Sequence, residues 1–177
     1  NFEIKEKIIL NSQVTTVEYN PRNNNYALVC MHRDFAAVFN LETLERRNLY
    51  DFEINAVDKS RVAKYDRRGK YIYMENGKGK LTVFNSETPD IFHSFFIRTQ
   101  KLTLTSSLDI EFSHRGRDDF LINCLDRTIR LYRCQDVLQK SNNLTPIQCF
   151  KDLINKSIWT KCCFSNDGEY VIAGTSR

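Results

Sequence analysis

Apolar residues along this chain fall into short runs, and the runs recur in a fixed order. From Val17 the sequence reads VEYNPRNNNYALVCMHRDFAAVF: an apolar–polar–aromatic triplet, a polar turn, a run opened by Tyr26 and a run closed by Phe39. From Ala63 it reads AKYDRRGKYIYMENGKGKLTVF, and from Ile110 IEFSHRGRDDFLINCLDRTIRLY. CCFSNDGEYVIAGTSR, from Cys162, repeats the first half of the pattern. Runs this short, rich in aromatic and β-branched residues and bounded by Gly, Asn, Asp and Pro, predict strands. In the last copy Asn-Asp-Gly marks a tight hairpin turn, with Gly168 supplying the positive φ it needs.

The first aromatic of each copy is Tyr19, Tyr65, Phe112 and Phe164, at separations of 46, 47 and 52 residues. The closing aromatic, Phe39, Phe84 and Tyr132, follows its partner by 20, 19 and 20 residues. Constant inner spacing with variable outer spacing describes a repeat whose hairpins are fixed and whose linkers vary. A period of roughly 40–50 residues with four short strands belongs to the β-propeller. DRTIRLY, residues 126–132, sharpens the assignment, because it matches the D-x-x-V-x-x-W ending of WD repeats with Tyr132 in the tryptophan position. Asp126 is then expected as the buried turn aspartate, accepting backbone N–H groups between the second and third strands of its blade.

The expected architecture is all-β: a partial WD-repeat β-propeller with three full repeats and half of a fourth, four antiparallel strands per blade. Fourth strands are expected near LERRNLY, IFHSFFIRT and PIQCFKDL. EKIIL is assigned to the outer strand of a preceding blade within residues 1–14, and the repeats run over about 15–50, 60–99, 106–152 and 158–177. Linkers fall at Asp51–Lys59, Gln100–Ser107 and Cys134–Thr145, the last projecting as an insertion loop. A propeller closes with about four to eight blades, so the chain is expected to be a piece of a larger ring.

Net charge is +4, far from a polycationic excess, but it is unevenly placed. Between Asp58 and Lys80 eight basic residues (Lys59, Arg61, Lys64, Arg67, Arg68, Lys70, Lys78, Lys80) stand against three acids. A solvated strand face accounts for them, and an anionic partner is the alternative. No apolar run approaches the ~20 residues of a membrane span, so no membrane partner is expected. The six cysteines form no CxxC and no Cys/His pair at metal spacing. Cys162 and Cys163, adjacent on one strand, point to opposite faces, and Cys30 and Cys124 sit in apolar strand patterns. All six are expected as reduced thiols.

Catalytic constellations do not emerge. His32, His93 and His114 lack the partner spacing of a triad or a metal site. NGKGK, Asn76–Lys80, has the glycines of a phosphate loop, but it joins two strands, whereas such a loop must open a helix. It is expected as a turn. Enzymatic activity, cofactor, metal and small-molecule substrate are accordingly not expected.

Four stretches, in order, resemble the WD-repeat scaffold subunits of histone methyltransferase complexes of the COMPASS and mixed-lineage-leukaemia type. They are VEYNPRNNNYALVC (17–30, the loosest), DRRGKYIYMENGKGKLTVF (66–84), FLINCLDRTIRLY (120–132) and LINKSIWTKCCFSNDGEYVIAGTSR (153–177). The double cysteine in WTKCCFSNDGEYVIAG is not a general propeller feature and makes the resemblance specific, whereas residues 31–58 and 134–150 depart most. The resemblance implies a non-catalytic nuclear subunit acting in methylation of lysine four of histone three. Its propeller would dock on the nucleosome and beside the catalytic SET-domain subunit, with other core subunits joined through a segment beyond the propeller.

The same resemblance implies arginines at one rim that face the DNA backbone. By motif these fall on Arg127 of DRTIR, Lys156 of LINKS and Arg177 of GTSR. Lys156 keeps the charge of a guanidinium without its bidentate phosphate geometry. Register supports the grouping, since second-to-third-strand turns and blade-to-blade connections emerge on the same rim of a propeller. The alternative is a WD-repeat protein-interaction platform of an unrelated intracellular complex, such as a ubiquitin ligase or a trafficking coat.

Overall fold

The computed structural model describes residues 7–32, 34–50, 62–98, 104–105, 107–116, 118–140, 144–154 and 157–175. Each copy of the repeat folds as an antiparallel meander. The first contains β1 (Val14–Asn20), β2 (Asn23–Met31), β3 (Ala37–Asn40) and β4 (Arg46–Asn48), hydrogen-bonded in that order. The second contains β5 (Val62–Tyr65), β6 (Tyr71–Glu75), β7 (Lys80–Asn85) and β8 (Ile91–Phe96), again in sequence order. The third contains β9 (Ser107–Phe112), β10 (Asp119–Cys124), β11 (Ile129–Arg133) and β12 (Gln148–Phe150). A final pair, β13 (Trp159–Phe164) and β14 (Val171–Thr175), is the first half of the same unit.

The fold is a partial β-propeller of three four-stranded blades and half of another. First strands lie against one another, β1 on β5, β5 on β9 and β9 on β13, toward the propeller axis. Second and third strands are sandwiched between blades, which explains their near-continuous burial and apolar composition. Between the first two blades Leu28, Cys30 and Val38 pack on Ala63, Tyr65, Ile72, Met74 and Phe84. Between the second and third, Tyr73, Leu81, Val83 and Phe95 meet Ile110, Phe112, Phe120 and Tyr132. There Tyr73 sits 5.0 Å and 5.1 Å from the rings of Phe112 and Phe120, and Phe120 stacks on Tyr132 at 5.5 Å. Each such side chain contributes about 1.5–3 kcal/mol on burial, so this stack is a major tie between its two blades.

The closing aromatics Phe39, Phe84 and Tyr132 are all buried, as their constant spacing requires. Among the leading aromatics Tyr65 and Phe112 are buried, but Tyr19 is 60% exposed, because no blade lies over that side of β1 among the described residues. Cys162 packs under Leu121 and Ile129 while Cys163 is exposed, the opposite placement expected of strand neighbours. All six cysteines are unpaired.

Three expectations need correction. Residues 7–10 of EKIIL belong to no strand, and the rest of the expected outer strand before them lies outside the described residues. A strand requires a ladder partner, and Leu10 packs instead on the cluster of Val29, Met31, Ala37 and Phe39. The linker beginning at Cys134 opens with a short helix, α1 (Cys134–Leu138), rather than a free loop. Cys134 and Val137, three residues apart, turn one face of it into the core, and Leu144 follows them. Finally, the basic segment is not uniformly solvated: Lys80 is 6% exposed, and Lys64 is half-buried in an ion pair with Glu111 of the next blade at 3.3 Å.

Candidate nucleic-acid interface

A meander sends its turns to two opposite rims. The β1–β2 and β3–β4 turns and their counterparts emerge on one rim; the β2–β3, β6–β7 and β10–β11 turns share the other with the blade-to-blade connections. On this second rim the phosphate-loop-like NGKGK is a closed turn. Gly77 and Gly79 have φ of 81° and 83°, values that favour glycine. Asn76 Oδ1 accepts the N–H groups of Lys78 and Lys80 at 2.9 Å and 3.1 Å, and Glu75 Oε1 accepts that of Gly79 at 2.8 Å. The donors that could cradle a phosphate are already taken by the chain, as the turn reading requires.

Arg127 stands at the tip of the β10–β11 turn, exposed, with φ of 65°. Its N–H donates to the Cys124 carbonyl at 3.1 Å, and the Cys124 N–H to the Thr128 carbonyl at 2.9 Å, closing the turn. Asp126 organises it from the side. One carboxylate oxygen accepts both the N–H and the hydroxyl of Thr128, at 3.2 Å and 2.6 Å. The other accepts from the Arg130 guanidinium. Asp126 is thus half-buried rather than buried, and takes one backbone N–H, a hydroxyl and a guanidinium instead of backbone donors alone.

Arg130 is the residue that sequence reasoning missed. It is 3% exposed, its Nε donates to Thr128 Oγ1 at 3.1 Å, and another of its nitrogens reaches the Arg98 carbonyl of the preceding blade at 2.7 Å. A buried guanidinium needs this many acceptors to offset its desolvation. The result ties the turn carrying Arg127 to its neighbouring blade. The available signal was a second cation four residues beyond the turn aspartate, set between the apolar Ile129 and Leu131.

The Asn123 amide, at the end of β10 beside this turn, donates to the Trp159 carbonyl at 2.8 Å. That bond anchors the start of β13, so the connection between these blades reaches the rim of Arg127. Leu153 and Ile154 in that connection are 86% and 92% exposed. Of the other expected contact residues, Lys156 and Arg177 lie outside the described residues. The histidines do not converge: His32, His93 and His114 belong to three different blades, and His114 sits 3.7 Å from Glu111. Among the described residues no three His, Cys, Asp or Glu side chains cluster as metal ligands.

No protein-family model matches the chain. It is 42% identical over 177 residues to the Retinoblastoma-binding protein 5 homolog of Drosophila melanogaster, covering 99% of this chain and 35% of that one. It is 32% identical over 115 residues to the Set1 complex component swd1 of Schizosaccharomyces pombe, covering 64% of this chain and 26% of that one. Among solved structures, the β-propeller domain of Cps50 (Swd1) from Myceliophteria thermophila matches with a TM-score of 0.79 at 21% identity, over 96% of this chain and 55% of that one. This last likeness is one of fold. The chain spans about a third of the length of the curated relatives it matches along its whole extent. A WD-repeat propeller segment whose likeness to that homologue runs along 99% of its own length belongs to the retinoblastoma-binding protein 5 family.

Proposed function

We propose that this chain supplies part of the propeller of a non-catalytic subunit in a nuclear complex that methylates lysine four of histone three. The observation that carries the reading is the likeness along nearly the whole chain to a Retinoblastoma-binding protein 5 homolog, joined by a shorter likeness to a Set1 complex component. In this reading the blades bind rather than react. Arg127, Lys156 and Arg177 contact the DNA backbone of the nucleosome, and the SET-domain subunit docks alongside. The anchored turn supports a binding role for Arg127, because a preorganised backbone loses less entropy when its side chain meets a phosphate. The exposed Leu153 and Ile154 on the same rim offer apolar surface for a protein partner beside it.

The test is reconstitution of the full-length protein with a SET-domain subunit and nucleosomes. The expected result is no methyl transfer by the protein alone and a raised rate when the SET-domain subunit is present. Methyl transfer from S-adenosylmethionine by the protein alone, or a partner rate indifferent to its presence, overturns the proposal.

A further inference from the structure

The rim opposite Arg127 carries a charge pattern that the proposed DNA contact does not use. There the first turns of successive blades touch in a continuous arc. Asn20 Nδ2 donates to the Gly69 carbonyl at 2.9 Å, and Arg68 pairs with Asp118 at 3.5 Å. Gly116 and Gly168 face the carbonyls of Asp167 and Arg115 so closely that a Cβ would lie 3.2 Å and 2.8 Å from them. The arc therefore runs unbroken from the Asn20–Asn23 turn through Asp66–Lys70 and 113–116 to the turn that ends at Gly168.

Its first three turns present Arg22, Arg67, Arg68, Lys70, His114 and Arg115. Of the acids among them, Asp118 holds Arg68, and Asp66 turns one oxygen to the chain, its Oδ1 accepting the N–H groups of Lys70 and Tyr71 at 2.7 Å and 3.0 Å. Among the described residues no carboxylate pairs with Arg22, Arg67 or Arg115. Three guanidiniums with no carboxylate partner, with Lys70 beside them, outweigh Asp66 and leave the arc with a net positive potential. Charge reverses at its far end and along its outer edge. The fourth turn and its flank offer Asp167 and Glu169, and the outer turns of the first two blades on the same rim offer Glu42, Glu87 and Asp90, all exposed, while Glu45 there is held by Arg47 at 3.1 Å. Those outer turns begin two strands away, about 10 Å.

We infer that this arc is a docking track for an extended acidic peptide segment of a partner protein. Width decides between anionic partners. A DNA duplex carries one charge per about 1.7 Å along its axis and is broad, so its phosphates would be pressed against the outer carboxylates. A single extended strand can follow the arc and meet its cations without reaching the outer carboxylates. The fourth turn sets its register, since an acidic segment is repelled beyond the third blade. The track is independent of Arg127, which lies on the other rim.

The experiment uses full-length protein and a fluorescein-labelled Glu-Gly repeat peptide of about twelve residues, roughly 40 Å when extended. Anisotropy at low salt is compared with a Gln-Gly peptide and with a short DNA duplex. Expected is binding of the Glu-Gly peptide over the Gln-Gly peptide, weakened at least about tenfold by combined Arg22→Glu, Arg67→Glu and Arg115→Glu. Duplex affinity should stay within about twofold in that variant and fall instead in Arg127→Glu. A Gln version of the triple variant, with thermal melts of both, separates loss of the track from loss of fold. Equal binding of the two peptides, an unchanged affinity in both triple variants, or a parallel loss of duplex binding would each overturn the inference.

Discussion

Asn20 and Gly69 join the first two blades at a separation that admits no side chain. Asn20 Nδ2 donates to the Gly69 carbonyl at 2.9 Å, while its Oδ1 accepts the N–H groups of Arg22 and Asn23 at 2.9 Å and 3.2 Å. A Cβ on Gly69 would fall 2.2 Å from that oxygen, and the Gly69 φ of 68° is left-handed. Such a φ costs an L-residue about 1–2 kcal/mol before any clash.

Gly69→Ala is therefore expected to cost about 2–4 kcal/mol, because the amide must leave its bonds as well. Gly174→Ala is the comparison, since nothing lies within 4 Å of a Cβ there. Its expected effect is within about 0.5 kcal/mol. Urea unfolding of both variants decides the matter: equal costs would mean that the blade contact at Asn20 imposes no constraint.

The Asp126–Arg130 pair makes a second, separable contribution. Asp126→Asn leaves a guanidinium that is 3% exposed without its carboxylate. The expected loss is about 2–3 kcal/mol. Arg130→Met removes the buried charge along with its partner's role. The double variant should then cost less than the two single changes added together. Strict additivity in that cycle would show that the two side chains do not depend on each other.

How much of this was legible beforehand depended on whether a feature is local. The blades were, because Phe84 and Tyr132 close hairpins of fixed length and the turn glycines mark their tips. So was the opposite placement of Cys162 and Cys163, which follows from strand alternation alone. Helix α1 was not, because only Cys134 and Val137 of its five residues are apolar and buried, too few to set a period. Arg130 was hidden for a different reason. Its burial depends on the Arg98 carbonyl, 32 residues earlier and in another blade. At the candidate site the turn and its aspartate were readable, whereas the guanidinium that locks the turn was a tertiary fact. The basic segment around Arg67 was visible as charge, but only the stacking of turns shows which of its cations align with Arg22 and Arg115.

Glu18 yields a prediction about pH. It is half-buried on β1, and its Oε2 accepts the Tyr65 N–H at 3.3 Å. Burial, the largest influence, raises its pKa above the usual value, with Lys64 and the Tyr65 N–H pulling the other way. The folded state therefore binds this proton more tightly than the unfolded chain does. Ionisation subtracts stability at neutral pH, and that cost vanishes as pH falls below the unfolded carboxyl pKa of about 4.3. Glu18→Gln keeps an acceptor for Tyr65 without the charge. It should melt higher than the native protein at pH near 7, with the gap closing toward about pH 4. A Gln variant that melts lower at neutral pH would mean that attraction to Lys64 outweighs burial.

The last prediction concerns Arg127, whose backbone strain and proposed role can be separated. Its φ of 65° is one that glycine adopts freely. Arg127→Gly should thus leave stability unchanged or slightly raised, by up to about 1 kcal/mol. If the side chain meets a DNA phosphate, the same change weakens nucleosome binding and lowers the slope of log affinity against log salt by about 1. Replacing Arg127, Lys156 and Arg177 together with Glu should lower the slope by about 2–3. A purely structural Arg127, with its stem packed on the turn, forecasts the reverse pair of results: stability falls on removal of the stem and the salt slope stays put. Binding titrations at several salt concentrations, run beside thermal melts of the same variants, distinguish the two. Native-like melting with an unchanged slope in the triple variant would remove DNA from this rim and leave Leu153 and Ile154 as its candidate contacts.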